Sequence, residues 1–68
     1  MVTLKQARIN AGLTQKQVAD ELNKTIMTVQ RYENGKTDLN AKTFIILCKL
    51  YGVSADEIIL PHQTEGKQ

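Results

Sequence analysis

Aromatic residues are nearly missing from this chain: there is no tryptophan, and Phe44, Tyr32 and Tyr51 are the whole complement. A core must then be built from Ile, Leu, Val and Ala, which suits helices packed on one another. Cysteine occurs once, as Cys48, so no disulfide can form within the chain. Set among Ile45, Ile46, Leu47 and Leu50, that thiol reads as a small buried hydrophobe. Histidine and serine also occur once each, as His62 and Ser54. This inventory offers no nucleophile and base in combination, no His/Cys spacing for a metal and no glycine-rich phosphate loop. The acidic neighbours Asp20 and Glu21, and Asp56 and Glu57, fall on helix surfaces and read as solvated. An enzyme is not expected, nor a cofactor, a metal or a small-molecule substrate. No apolar run approaches a membrane span and no signal-peptide pattern is present, so the expected setting is a reducing cytoplasm with no membrane partner.

What is present is helix punctuation. At 68 residues the chain is one small domain at most, and domains of about 55–65 residues often fold alone. Thr3 and Gln6 fit a capping box, opening a first helix with Leu4, Ala7 and Ile9 inward and Lys5, Gln6 and Asn10 in solvent. Gly12 ends it. Thr14 and Gln17 form a second box, followed by Val18, Ala19 and Leu22 at helical spacing, with Lys16, Asp20 and Glu21 opposite. Ala19 is small enough to let another helix cross closely. Asn23 then supplies a left-handed stop. Thr25 caps a third helix, whose Val29 and Tyr32 share an inward face and which breaks at Asn34-Gly35.

Asn40 caps a fourth helix running to Tyr51, with Phe44, Leu47, Cys48 and Tyr51 inward. Ile45 and Ile46 widen its apolar arc, as a central helix would require. Gly52 ends it, and Ser54 with Glu57 opens a last short helix carrying Ile58 and Ile59, which Pro61 stops. The expectation is an all-α, compact five-helix domain over residues 1–61 and a short flexible tail over residues 62–68.

Within this plan the stretch from Leu13 to Lys36 stands out. It holds two short amphipathic helices joined by a turn of about four residues. The second presents an almost uncharged opening turn on its free side. A short helix held off the core, with small, polar and flexible side chains outward, has the shape that enters a DNA major groove. A net charge of +2 permits nucleic-acid binding without arguing for it. Placement is more telling: Lys16, Lys24, Arg31, Lys36 and Lys42 lie in or near the pair, and Asp56, Glu57 and Glu65 lie at the other end.

Leu13-Thr14-Gln15, Val18-Ala19, Leu22, Val29, Tyr32-Glu33-Asn34-Gly35, Leu47-Cys48 and Gly52-Val53-Ser54 together resemble the helix-turn-helix domain of phage Cro and cI-type repressors, the XRE or HTH-3 family. The likeness runs from Leu4 to Leu60, and Tyr-Glu-Asn-Gly after the helix pair is its most specific part. It implies a lambda-repressor-like fold in which helices two and three read double-stranded DNA, usually as a homodimer on a near-palindromic operator. Two positions depart from the pattern: Asn23, where glycine is common, and Ile26-Met27, where polar readers are common.

The residues expected to read bases are Thr25, Ile26, Met27, Gln30 and Arg31. Arg31 can make two hydrogen bonds to guanine, and Gln30 can meet adenine or a phosphate. Ile26 and Met27 can only meet thymine methyls or sense shape, unless they are core or a protein-binding patch. Gln15 sits where the helix dipole and free backbone N–H groups favour a phosphate, and the family places one there. Lys16, Thr28, Asn34, Lys36 and Lys42 complete the expected phosphate set, with Thr37 and Asn40 as neutral additions. The resemblance also implies a structural ion pair between Arg8 and Glu33 and a dimer surface near the last helix, at Ile59 and Leu60, to which helix four can contribute.

The expected function is thus a sequence-specific DNA-binding transcriptional regulator, a repressor of Cro or cI type from a phage or mobile element. The alternative is an antitoxin-like or other protein-interaction module on the same fold, with Ile26 and Met27 against a protein.

Overall fold

Each of the four α-helices among the described residues opens at a polar side chain on extended backbone and closes at a left-handed residue. The computed structural model describes residues 1–60; Pro61 and the expected 62–68 tail, with His62 and Glu65, lie outside the described residues. The helices are α1 (Leu4–Asn10), α2 (Gln15–Leu22), α3 (Ile26–Asn34) and α4 (Ala41–Tyr51). Thr3, Thr14, Thr25 and Asn40 cap them, each side chain accepting from the N–H three residues on. These caps satisfy donors that a helix start otherwise leaves without partners.

The ends follow one pattern as well. The N–H groups of Leu13, Lys24, Lys36 and Val53 donate to the carbonyls of Arg8, Ala19, Arg31 and Cys48, at 3.1, 2.9, 2.9 and 3.0 Å. Such a bond, reaching back five residues, requires a left-handed residue just before its donor. Asn23 supplies that conformation between α2 and α3 with φ 60°, the only non-glycine among the described residues to do so. Asparagine is one of the few side chains that tolerates it.

Leu4, Ala7, Val18, Ala19, Val29, Leu47, Cys48, Tyr51, Ile58 and Leu60 form one buried cluster. Leu13, Leu22, Tyr32, Phe44 and Val53 are among the half-buried residues packed against it. Burial pushes the Cys48 thiol pKa up, so the group stays neutral in this setting. Among the described residues, no helix is long and apolar enough to cross a membrane.

Three expectations are corrected here. A fifth helix does not form. Ala55–Glu57 makes a single 3-10 turn, after which Ile58–Ile59 extends as a strand, β2. It pairs in parallel with β1 (Val2–Thr3), Val2 opposite Ile58 and Thr3 opposite Ile59. Pro61 disfavours helical backbone at Leu60, and two β-branched residues in a row prefer an extended partner when one is at hand. Ile9 is exposed, and Arg8 takes the inward place beside Leu4 and Ala7. At roughly 100° per residue, Ile9 lies about 140° around the helix from Leu4, outside the arc that a seven-residue helix buries. Finally, α4 packs along one side of the core instead of through its centre. Leu47, Cys48 and Tyr51 go in, whereas Ile45 and Ile46 remain 52% and 41% exposed.

Candidate nucleic-acid interface

The α2–α3 unit is fixed from within before it presents anything outward. At the opening of α2, Thr14 Oγ1 accepts from the Gln17 N–H at 3.1 Å while Gln17 Oε1 accepts from the Thr14 N–H at 2.8 Å. Val18, Ala19 and Val29 are buried where the two helices meet, and the small side chain of Ala19 lets them approach. Thr25 Oγ1 accepts from the Thr28 N–H at 3.3 Å and lies 3.2 Å from the Thr28 hydroxyl, so the first turn of α3 is held at both positions.

With Val29 turned in, the opposite side of α3 faces solvent. Thr25, Ile26, Met27, Gln30 and Arg31 are all exposed, Met27 at 60% and Ile26 at 42%. Ile26, Met27, Gln30 and Arg31 recur at helical spacing and share one face, with Asn34 continuing it at the helix end. A compact domain that leaves two large apolar side chains uncovered on a narrow helix face has a surface suited to contact something else. The arrangement can offer a guanidinium, an amide and two apolar groups to base edges.

Behind that face runs a chain of side-chain hydrogen bonds that begins at the Arg8–Glu33 pair. Arg8 Nε donates to Glu33 Oε2 at 2.7 Å, and Arg8 Nη1 donates to the Leu13 carbonyl at 3.0 Å. Both charged side chains are almost fully buried. Glu33 Oε1 then accepts from Gln15 Nε2 at 3.0 Å, and Gln15 Oε1 accepts from Gln30 Nε2 at 3.3 Å. Tyr51 lies close enough to feel this pair. Burial, with Glu33 nearby, pushes its pKa up to about 12, against an opposing pull from Arg8. For its continuation through Gln15 and Gln30, the only sequence hint was that these residues are polar and belong to helices that must pack together.

The other expected phosphate contacts come from α2, from α3 and the residues after it, and from α4. Lys16 is exposed and sits 3.3 Å from Asp20, an i,i+4 pair in open solvent that adds little stability and leaves the lysine free to exchange partners. Thr28 is half-buried, Asn34 ends α3, Lys36 follows it exposed, and Lys42 is exposed in the first turn of α4. Asn40 is engaged as the α4 cap, its Oδ1 2.8 Å from the Thr43 nitrogen. Of the two expected dimer residues, Ile59 is half-buried in β2, and Leu60 is packed into its own core at 9% exposure. That leaves Leu60 little surface to share. The large apolar side chains left open away from α3 are Met1, Ile9, Ile45 and Ile46.

A helix-turn-helix family model matches residues 4–58. Over 56 residues the chain is 39% identical to the HTH-type transcriptional regulator ImmR of Bacillus subtilis (strain 168), taking in 82% of this chain and 44% of that relative. The chain therefore spans less than half of that relative's length. No solved structure matches it.

Proposed function

Because the chain belongs to the XRE-type helix-turn-helix family, we propose that it is a sequence-specific, double-stranded DNA-binding transcriptional regulator. In this reading α3 lies in the major groove, and Thr25, Ile26, Met27, Gln30 and Arg31 front the base edges. Arg31 reads guanine, and Ile26 and Met27 meet thymine methyls, so each half-site carries a T-rich position. Gln15, Lys16, Thr28, Asn34, Lys36 and Lys42 set the register on the phosphates without reading sequence. The observation that carries the reading is the exposed face of α3 beside a firmly capped and closed turn.

One such domain makes few phosphate contacts, which favours a homodimer on a near-palindromic operator with half-sites about one helical turn apart. Repression follows if the occupied operator excludes polymerase. A cytoplasmic setting goes with this role. The second reading, a protein-binding module, is supported by the same exposed Ile26 and Met27, which offer no hydrogen bonds of their own.

Fluorescence anisotropy on mixed duplex DNA at rising salt separates the two. Neutralising several phosphates makes log K fall linearly with log salt, with a slope of about −0.9 per phosphate. Absent or salt-insensitive binding would favour the protein partner. Selecting sites from a random duplex pool then gives the operator and its half-site spacing.

A further inference from the structure

The hydrogen-bond chain behind α3 has a fixed polarity. The orientation of a glutamine amide is ordinarily ambiguous, since its oxygen and nitrogen are alike in shape. Here Glu33 removes the ambiguity. A carboxylate neutralised by Arg8 can only accept, so Gln15 must turn its NH2 group toward Glu33 Oε1, 3.0 Å away. Its carbonyl oxygen must then point the other way, and Gln30 must donate to it, at 3.3 Å. Protons thus run one way, from Gln30 to Gln15 to Glu33, with Arg8 donating from the far side.

We infer that Gln30 is a positioning residue for the Gln15 phosphate contact, and that Glu33 sets the direction in which both amides point. This rests on the DNA-binding reading above. Gln15 is the first residue of α2, where the N–H groups of Gln15 and Lys16 find no partner inside the helix. One amide hydrogen of Gln15 is committed to Glu33, so the other is the one left for an anion at the same place. A free glutamine would sample several rotamers and both amide orientations before binding. Clamped at both ends, this one keeps a single arrangement, and the ordering cost is met within the fold. Gln30 is tied by one amide hydrogen to Gln15. Its loss is therefore felt at the phosphate, where every sequence is alike, in contrast to the loss of Arg31, which contacts no other side chain in this chain of bonds.

The test is a double-mutant cycle on the full chain, with Gln15→Ala, Gln30→Ala and the pair together, measured by anisotropy on a selected duplex and on a scrambled one. Gln15→Ala should weaken binding about tenfold, the size of a lost hydrogen bond to a charged group. Gln30→Ala should weaken it at least about threefold on both duplexes, the scrambled one included, with the melting temperature unchanged. The double variant should match Gln15→Ala within about twofold, because coupled residues do not add. In the free protein, the Gln15 side-chain NH2 resonances should move in Gln30→Ala while the backbone resonances of the core stay in place. Multiplied losses of about thirtyfold in the double variant would overturn the inference, as would a Gln30→Ala defect confined to the selected duplex. Failure of the parent protein to bind either duplex would instead overturn the DNA-binding reading, and this inference with it.

Discussion

Thr14 and Ser54 occupy matching local positions and have different outcomes. Each backbone N–H is accepted by a side chain three residues on, from Gln17 at 2.8 Å and from Glu57 at 2.9 Å. Behind Thr14 an eight-residue helix follows; behind Ser54 there is one 3-10 turn and then a strand. The difference lies in what comes next and what is nearby. Val18, Ala19 and Leu22 give α2 a stripe to bury against α3, whereas Ile58 and Ile59 meet an open edge of backbone at Val2 and Thr3. The Ser54 hydroxyl also behaves differently. It donates to Asp56 and Glu57, and does not accept from the helix start as the Thr14 hydroxyl does. A capping box opens a helix only where tertiary burial rewards its continuation.

The strongest way to break that contrast is to remove what holds the α2–α3 unit to the rest. Glu33→Ala strands the buried Arg8 guanidinium and should cost about 3–5 kcal/mol, enough to leave so small a domain largely unfolded at room temperature. Urea melts of parent and variant will show it. Ile58→Ala weakens the other region, where a buried side chain sits on a two-residue strand. A loss of about 2–3 kcal/mol is expected, at the lower end for such a truncation because the site can collapse.

A third probe uses pH. Tyr51 titrates near 10 unfolded and at about 12 folded, so the folded state holds its proton more tightly. The stability this confers is complete below pH 10 and is lost as pH rises through about 12, a fall on the order of 2–3 kcal/mol. Tyr51→Phe should flatten that part of the pH–stability curve relative to the parent. The smallest effects sharpen the comparison itself: Thr14→Ala should cost about 1 kcal/mol, and Ser54→Ala only a few tenths, roughly, since its hydroxyl satisfies no helix donor. Equal losses from the two would remove the distinction between the two boxes.

Most helix starts and stops were legible because they are local. Thr14 with Gln17, Asn23 and Asn34-Gly35 need only their neighbours to act. The inward set Leu4, Ala7, Val18, Ala19, Val29, Leu47, Cys48 and Tyr51 followed from helical spacing alone. What escaped was non-local. Ile58 and Ile59 form a strand only because Val2 and Thr3 are brought beside them by folding, and nothing in their own neighbourhood signals that. Ile9 lost its place to Arg8, whose partner Glu33 lies on another helix, and helical spacing by itself gives no sign of that exchange. At the candidate interface the exposed residues of α3 were readable from period and capping. The bonds from Gln30 through Gln15 to Glu33 were not, since they depend on how α2 and α3 cross.

The parallel pairing of Val2 with Ile58 has a consequence for how the domain comes into being. As the chain leaves the ribosome, α1 to α4 emerge before the residues that clasp the first strand and fill the last part of the core, Ile58 and Leu60. Closure waits on contacts between nearly the first and nearly the last residues described, the most distant kind in sequence and the slowest to form. The interior behind α3 is therefore completed last, by residues that follow all four helices in the chain.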